Sequence, residues 1–299
     1  MRTCAWIFLA LPLLAEPLLA EKERLPGGKV LPHDRYVHAV SLADAPVEQV
    51  YIKSKDGVYV AAALRKPKGA GPFPVLVHFH GAPGGRGMEK LVTWVRGDTG
   101  GPVWERFLQE GYVVVVADYR HPTPMMASVA EAKSPTYIDD GVAVVEWLRQ
   151  QSYIDPARIS AYGVSLGGNL VAHLAGRTKL HAAVLGAPAV IEFLGVQGWT
   201  RDTKTVPVDE AIARKNLAAL QCPVLLLVGT KDNLIAVDEP FHDLAVAMGK
   251  PVRMLIYENG YHDFVMGPQG HAGRDEPLLD ATLDALERTV AFVKKPAVQ

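Results

Sequence analysis

The sequence predicts an α/β fold in which helices cover both faces of a mostly parallel sheet and a small cap is inserted above the sheet. Three observations lead to this fold class. Short apolar runs alternate with helical patterns from residue 48 onward, which is typical of repeated strand–helix units. A hairpin signal, Lys55-Asp56-Gly57, opens the series. Residues 188–218 interrupt the alternation without a clear strand, and we interpret them as the cap.

Short apolar runs bounded by turn residues are predicted to be strands. The run Tyr112–Asp118 contains four successive valines, which is typical of a strand that is buried on both faces. The predicted strands are Gln49–Ser54, Val58–Leu64, Val75–His80, Tyr112–Asp118, Arg158–Gly163, Ala182–Ala187, Val224–Gly229 and Val252–Glu258.

Helices are predicted where apolar residues recur at intervals of three and four. Between residues 137 and 151, for example, Val144, Val145 and Leu148 form one stripe. Residues 86–101 are interpreted as a second, Gly-rich excursion from the alternation. The predicted helices are Val103–Glu110, Tyr137–Gln151, Leu166–Arg177, Val237–Met248 and Glu276–Lys294.

The first 20 residues have the pattern of a secretory signal peptide. Arg2 precedes an apolar run from Cys4 to Ala15, and small residues stand at Ala15 and Ala20. We expect cleavage after Ala20, with cleavage after Ala15 as the second choice; the alternative is an N-terminal helix of the mature fold. The run is too short to span a bilayer, so no stable membrane insertion is expected once the leader is removed. The sequence thus predicts a secreted or periplasmic protein with one domain over residues 21–299.

The composition excludes several classes of function. Among 299 residues, 31 Lys and Arg balance 32 Asp and Glu for a net charge of −1, so the clustered cations that bind nucleic acid are missing. The two cysteines, Cys4 and Cys222, form neither a disulfide framework nor a zinc-finger spacing, and Cys4 lies in the leader. The expected partners are therefore small molecules and not nucleic acid.

A candidate nucleophile lies between a predicted strand and a predicted helix. Gly163-Val164-Ser165-Leu166-Gly167 matches the G-x-S-x-G pattern, in which a strained turn aims the serine oxygen off the end of the sheet. The flanking glycines avoid clashes with neighbouring elements. The alternative is an ordinary turn between strand and helix.

Two downstream residues complete a possible catalytic triad in the order acid, then histidine. Asp232 follows the predicted strand Val224–Gly229, and His262 follows the next strand in a loop that contains Gly260. Two other acids are rivals. We expect Asp238 to cap the following helix and Asp263 to be an exposed loop carboxylate.

The loop His80-Gly81-Ala82-Pro83-Gly84-Gly85 is a candidate oxyanion hole. Its small residues let backbone N–H groups approach a substrate oxygen, and such donors raise rates by roughly 10²–10³. We assign one donor to the Ala82 N–H and the other to the Leu166 N–H; the alternative is an ordinary turn.

Three further observations concern ligands. His78 and His80 alternate on one strand, but without a third ligand nearby we interpret them as packing or loop-bracing residues and expect no metal. Phe193 and Trp199 lie in the predicted cap, where they line either a substrate pocket or the core of the cap. No organic cofactor is expected.

Together these motifs resemble the α/β-hydrolase superfamily, in particular its prolyl-oligopeptidase-like and dienelactone-hydrolase-like branch. The resemblance covers about residues 48–296. It is carried by the triad motifs and by His80-Gly81-Ala82-Pro83-Gly84, the run from Gly111 to Arg120, and Ile154-Asp155-Pro156-Ala157-Arg158-Ile159.

The resemblance implies an eight-stranded sheet with the second strand antiparallel, and a Ser-Asp-His triad. The chain departs from the branch in three places. Dienelactone hydrolases carry a cysteine nucleophile, whereas Ser165 stands here. The oligopeptidases carry a large N-terminal propeller, which the roughly 50 residues before the first predicted strand are too few to build. Ala82 replaces a glycine that is common in the peptidase loop.

The leading functional hypothesis is a secreted serine hydrolase that cleaves small or oligomeric carboxylic esters through an acyl-enzyme. The alternative is a small serine peptidase of the prolyl-oligopeptidase type. A third hypothesis, a catalytically silent binding protein, is disfavoured because no member of the triad is missing.

Overall fold

A computed structural model describes residues 21–28, 45–96, 103–120, 136–200, 202–262, 264–266 and 280–296. Their strands form one nine-stranded sheet. The strands are β1 Lys22–Leu25, β2 Val47–Lys53, β3 Tyr59–Arg65, β4 Phe73–Phe79, β5 Val113–Ala117, β6 Ile154–Val164, β7 Ala183–Gly186, β8 Val224–Gly229 and β9 Val252–Tyr257.

The order of the strands across the sheet is β1-β9-β8-β7-β6-β4-β5-β3-β2. Strand β3 is antiparallel to both of its neighbours, and the remaining pairs are parallel. The predicted fold class is therefore confirmed, with β3 as the antiparallel second strand of the expected eight. The expected number of strands was too small, because β1 pairs with β9 and adds a ninth.

Helices lie along both faces of the sheet. They are α1 Met88–Val95, α2 Val103–Gln109, α3 Thr136–Arg149, α4 Leu166–Arg177, α5 Glu210–Ala218, α6 Ile235–Ala247 and α7 Asp280–Lys294, with a short 3-10 turn at Phe264–Met266. Within the described ranges, no helix combines the length and apolar character needed to cross a bilayer.

The sheet separates two hydrophobic cores, and β5 contributes to both. Val113, Val115 and Ala117 pack into one core, whereas Val114 and Val116 pack into the other. Successive side chains of a strand point to opposite faces, so a strand covered on both faces has to be apolar throughout. This explains the run of four valines.

The two predicted interruptions of the strand–helix alternation both contain a helix. The excursion at residues 86–101 includes α1, which forms because Leu91 and Val95, four residues apart, are both buried in the core. In the segment 188–218, turns lead into α5. The side chain of Asp209 caps α5 by accepting hydrogen bonds from the N–H groups of Ala211 and Ile212.

Candidate active site

Ser165 occupies a strained turn between β6 and α4. Its backbone φ is 56° and its ψ is −119°, a left-handed conformation that is unfavourable for a residue with a side chain. A Cβ at Gly163 would lie 2.1 Å from the Gly167 carbonyl O, and a Cβ at Gly167 would lie 2.0 Å from the Phe79 carbonyl O. Both flanking positions therefore require glycine, as the sequence pattern indicated.

Backbone hydrogen bonds hold Ser165 in this conformation from three sides. Its N–H donates to the Gly186 carbonyl at 3.0 Å, and its carbonyl accepts from the Asn169 N–H at 3.2 Å and the Ala189 N–H at 2.8 Å. The end of β7, the first turn of α4 and the start of segment 188–218 thus all anchor this one residue.

Asp232 and His262, which lie 30 positions apart in the sequence, are hydrogen-bonded to each other. His262 Nδ1 donates to Asp232 Oδ2 at 2.8 Å. The other oxygen of Asp232 accepts from the Leu234 N–H at 3.0 Å, so the carboxylate is fixed on both sides. The Asp232 side chain is 4% exposed and the His262 side chain 20% exposed. This pairing holds one tautomer of the ring and turns Nε2 away from the acid.

The loops that carry Asp232 and His262 touch each other, and the segment after His262 reaches the strand end to which Ser165 is hydrogen-bonded. A Cβ at Gly229 would lie 2.2 Å from the Gly260 carbonyl O, so the two loops touch at their glycines. Farther along, Val265 reaches the end of β7, because a Cβ at Gly186 would lie 2.9 Å from Val265 Cγ2. Since Gly186 also accepts the hydrogen bond from Ser165, one edge of the sheet gathers all three candidate residues.

The expectation that Asp238 caps a helix was wrong. The residue at the N-cap of α6 is Leu234, whereas Asp238 lies inside the helix and is fully buried. Neither carboxylate oxygen has a hydrogen-bond partner, and burial together with the charges of Asp232 and Glu239 raises the pKa of Asp238 well above its usual range. The folded protein therefore keeps the proton on Asp238 to a higher pH than it would on an exposed aspartate. The other rival, Asp263, lies outside the described residues.

The loop after β4 approaches the candidate nucleophile. A Cβ at Gly81 would lie 3.3 Å from Ser165 Cβ and 3.9 Å from its Oγ. Over the described ranges, neither the Ala82 N–H nor the Leu166 N–H donates to another protein group. Both N–H groups therefore have no protein acceptor in the described residues, and their assignment to an oxyanion hole stays a prediction.

The two histidines of β4 have different environments. His78 packs between the rings of Trp104 and Tyr162, and burial lowers its pKa well below the usual range. His80 instead contacts Asp118 and the rings of Trp94 and Tyr119. No group of three or more His, Cys, Asp or Glu side chains suited to a metal ion occurs in the part of the chain that the structure describes.

The two candidate pocket residues differ in burial. Phe193 is 1% exposed and packs between His173 and Phe241, with ring centroids 4.9 and 5.3 Å away. It therefore belongs to the hydrophobic core that includes α4 and α6, whereas the sequence offered a substrate pocket or the core of the cap. Trp199 is only partly buried where it packs against this core.

Sequence reasoning missed a polar network beside the serine turn. Tyr137 donates to Glu192 Oε2, and Asn169 Nδ2 donates to the same oxygen at 3.2 Å and to the Tyr137 hydroxyl at 2.9 Å. Burial raises the pKa of Glu192, although the hydrogen bonds from Tyr137 and Asn169 oppose the shift. Since Asn169 follows Ser165 by one helical turn, the network ties α3 and segment 188–218 to the start of α4. No spacing pattern in the sequence announces it.

Comparisons with known proteins give the relatives of this chain. The profile of the prolyl oligopeptidase family matches residues 104–280. The uncharacterized peptidase YuxL of Bacillus subtilis is 23% identical over 278 residues, which are 84% of this chain but only 40% of that protein's length.

Solved structures share the fold at low sequence identity. An esterase from Pyrobaculum calidifontis superimposes with a TM-score of 0.62 at 21% identity and covers 87% of this chain and 88% of its own. Esterase 2 of Thermogutta terrifontis, phosphorylated by paraoxon, has a TM-score of 0.60 at 22% identity, with 86% and 96% of the two chains covered. These likenesses show the α/β-hydrolase fold. Because the family profile covers more than half of the chain, the chain belongs to the prolyl oligopeptidase family.

Proposed function

We propose that this protein hydrolyses carboxylic esters through an acyl-enzyme, with Ser165 as the nucleophile. The observation that carries the proposal is the strained backbone of Ser165 between two positions that only glycine can occupy. A strained residue persists only where the surrounding structure holds it, and such residues cluster at active sites.

The proposed reaction gives each group of the site one role. Ser165 Oγ attacks the acyl carbon while His262 Nε2 takes its proton, and the alcohol then leaves with that proton. Asp232 holds the tautomer of His262 and stabilises the imidazolium. The Ala82 and Leu166 N–H groups donate to the oxyanion of the tetrahedral intermediate. Water hydrolyses the acyl-enzyme by the same route and restores the serine.

An ester substrate is favoured over a peptide by the small size of segment 188–218. Amide cleavage has a poor leaving group and profits from binding energy along an extended chain. In its described residues, segment 188–218 has one short helix and turns, and its Phe193 is buried in the core. We therefore propose short-acyl or aromatic esters as substrates. The family name and the relative named as a peptidase support peptide cleavage as the second candidate.

We further propose that the protein is exported, on the pattern of residues 1–20 alone. The first strand begins at Lys22, so cleavage after Ala20 would leave the whole described sheet intact.

The experiment compares p-nitrophenyl esters with aminoacyl-nitroanilides and measures labelling by a fluorophosphonate. Ser165→Ala is expected to abolish labelling and to lower ester turnover by at least about 10⁴-fold. The matched control is Ser160→Ala, which removes a buried serine hydroxyl without a hydrogen-bond partner from β6, the strand before Ser165. This variant should keep both the labelling and the ester turnover. Undiminished labelling of Ser165→Ala would overturn the assignment of Ser165 as the nucleophile. A higher kcat/KM for a nitroanilide than for any short-chain ester would establish the peptidase instead.

A further inference from the structure

Both ring nitrogens of His80 face hydrogen-bond acceptors. Nδ1 lies 2.7 Å from the carbonyl O of Gly81, and Nε2 lies 3.1 Å from Oδ1 of Asp118. A neutral imidazole has one N–H and one lone pair, whereas an imidazolium donates from both nitrogens. A backbone carbonyl only accepts, so Nδ1 must carry a proton. The charge of the ring then depends on whether Asp118 accepts or donates at Nε2.

The hydrogen bonds of Asp118 show that its carboxyl group is ionised. Oδ1 accepts from the N–H groups of Gly85 and Tyr119 at 2.9 and 2.8 Å, and Oδ2 accepts from the Gly87 N–H at 2.8 Å. Burial raises the pKa of Asp118, whereas the backbone N–H groups of Gly87 and Tyr119 lower it. A carboxyl group that accepts three backbone hydrogen bonds is held in its ionised form. Nε2 of His80 therefore also donates, and the ring holds two protons.

We propose that His80 is a buried imidazolium, paired with the Asp118 carboxylate, that strengthens the oxyanion donor at Ala82. The Gly81 carbonyl and the Ala82 N–H belong to the same peptide group. A charged donor on the carbonyl oxygen polarises that group and makes its N–H a stronger donor, because hydrogen bonds in a chain reinforce one another. His80 is thus a positioning residue that keeps both protons throughout the reaction. The inference rests on the proposed function, which supplies the oxyanion.

The groups around His80 are consistent with a positive ring. The Tyr119 ring stacks on it at 4.8 Å, and the Tyr119 hydroxyl donates to the carbonyl of His80 at 2.6 Å. Trp94 of α1 also packs against His80, with the two ring centroids 5.2 Å apart. The guanidinium of Arg86 lies 5.8 Å from the centroid of Trp94. His78, two residues earlier on β4, is neutral because burial lowers its pKa well below the usual range. Asp118 is thus the acid in direct contact with the ring, and it offsets the charge of His80.

The same contacts fix the position of the loop. Asp118 binds its two ends, at His80 and at Gly85 and Gly87, and the Gly85 N–H also donates to the carbonyl of Tyr119 at 2.9 Å. The Ala82 N–H is consequently oriented before the substrate arrives, and a donor placed in advance stabilises a transition state without reorganisation.

The protonation of His80 is tested directly by ¹⁵N NMR of the histidine rings in the wild-type protein. At about pH 8, where a free imidazole is neutral, both nitrogens of His80 are expected to give protonated shifts. The resonances are assigned by their loss in His80→Gln. A shift of a non-protonated nitrogen for either atom would overturn the proposal, and this measurement does not depend on a known substrate.

The contribution to catalysis is tested by ester kinetics of His80→Gln, since the amide of glutamine is uncharged. We expect kcat to fall about tenfold with little change in KM, because the interaction acts only in the transition state. The matched control is His78→Gln, the same substitution two residues away, which should keep kcat. Tyr119→Phe serves as a second control for loop anchoring.

The outcomes separate this inference from the proposed function. If the wild type hydrolyses esters but His80→Gln keeps full kcat, or if Tyr119→Phe loses as much kcat as His80→Gln, the role of the charge is refuted and the esterase stands. If the wild type neither hydrolyses esters nor reacts with a fluorophosphonate, the proposed function fails, whereas the NMR result still decides the protonation of His80.

Discussion

Replacing Asp238 by asparagine should change how stability depends on pH. Asp238 is fully buried in α6, and no hydrogen bond compensates its carboxyl group. Burial first, and then the charges of Asp232 and Glu239, raise its pKa well above the usual range. In the unfolded chain its pKa is ordinary, about 3.9. Between these two values the folded protein binds a proton that the unfolded chain has released.

The sign and size of the effect follow from this difference. A group whose pKa is raised by folding contributes its full stability below about pH 4 and loses it as the pH rises towards the folded value. Within that window the folded state holds one more proton than the unfolded chain. Each unit by which the pH rises therefore lowers the free energy of unfolding by up to about 1.4 kcal/mol. Since an amide does not titrate, Asp238→Asn should become progressively more stable than the wild type as the pH rises from about 4 towards the raised pKa of Asp238 in the folded protein.

Urea unfolding at several pH values measures this difference. The matched control is Asp202→Asn, which makes the same change at an exposed position and should run parallel to the wild type. A constant difference between Asp238→Asn and the wild type across the pH range would refute the reasoning. Ester turnover provides a second comparison: Asp238→Asn should remain active, whereas Asp232→Asn should lose about 10⁴-fold in kcat because the wrong histidine tautomer is held. A larger loss for Asp238→Asn would move the catalytic acid to that residue.

Two other predictions concern the core and the leader. Phe193→Ala should lower the free energy of unfolding by about 3–5 kcal/mol, as expected for a large buried ring. Urea unfolding measures this loss, with Trp199→Ala, which changes a partly buried ring, for comparison. A loss below about 1 kcal/mol would place Phe193 outside the core. Mass spectrometry of the protein exported by a bacterial host should find a mature N-terminus at Glu21, or at Glu16 as second choice, and recovery of intact Met1 from the exported fraction would contradict the leader.

Hydrophobic patterning predicted most elements closely. Helix α4 and strand β8 have the predicted ends, and the valines of β5 are buried on both faces as expected. These elements were predictable because their apolar residues are contiguous or periodic, so the signal is local.

Strand β1 was missed because its sequence carries no apolar run. Lys22–Leu25 has only four residues, of which the first three are charged and only Leu25 is apolar. Its conformation comes from backbone pairing with β9, in which Met254 N–H donates to the Glu21 carbonyl and Glu258 N–H to the Leu25 carbonyl. Short, charged edge strands are common, because charges at an edge discourage further pairing.

The chain by itself determined the fold class and the family, because both rest on residues that are close in sequence or on a periodic pattern. It also predicted the order serine, acid, histidine and placed Asp232 ahead of Asp238 as the acid. Only the tertiary structure shows that Asp232 meets His262 beyond the end of β8, whereas α6 buries Asp238 without a hydrogen-bond partner. The protonation of His80 has the same origin. Its ring faces the carbonyl oxygen of Gly81 and a carboxylate oxygen of Asp118, which lies 38 positions away in the sequence. The charge of a buried group depends on such neighbours in space.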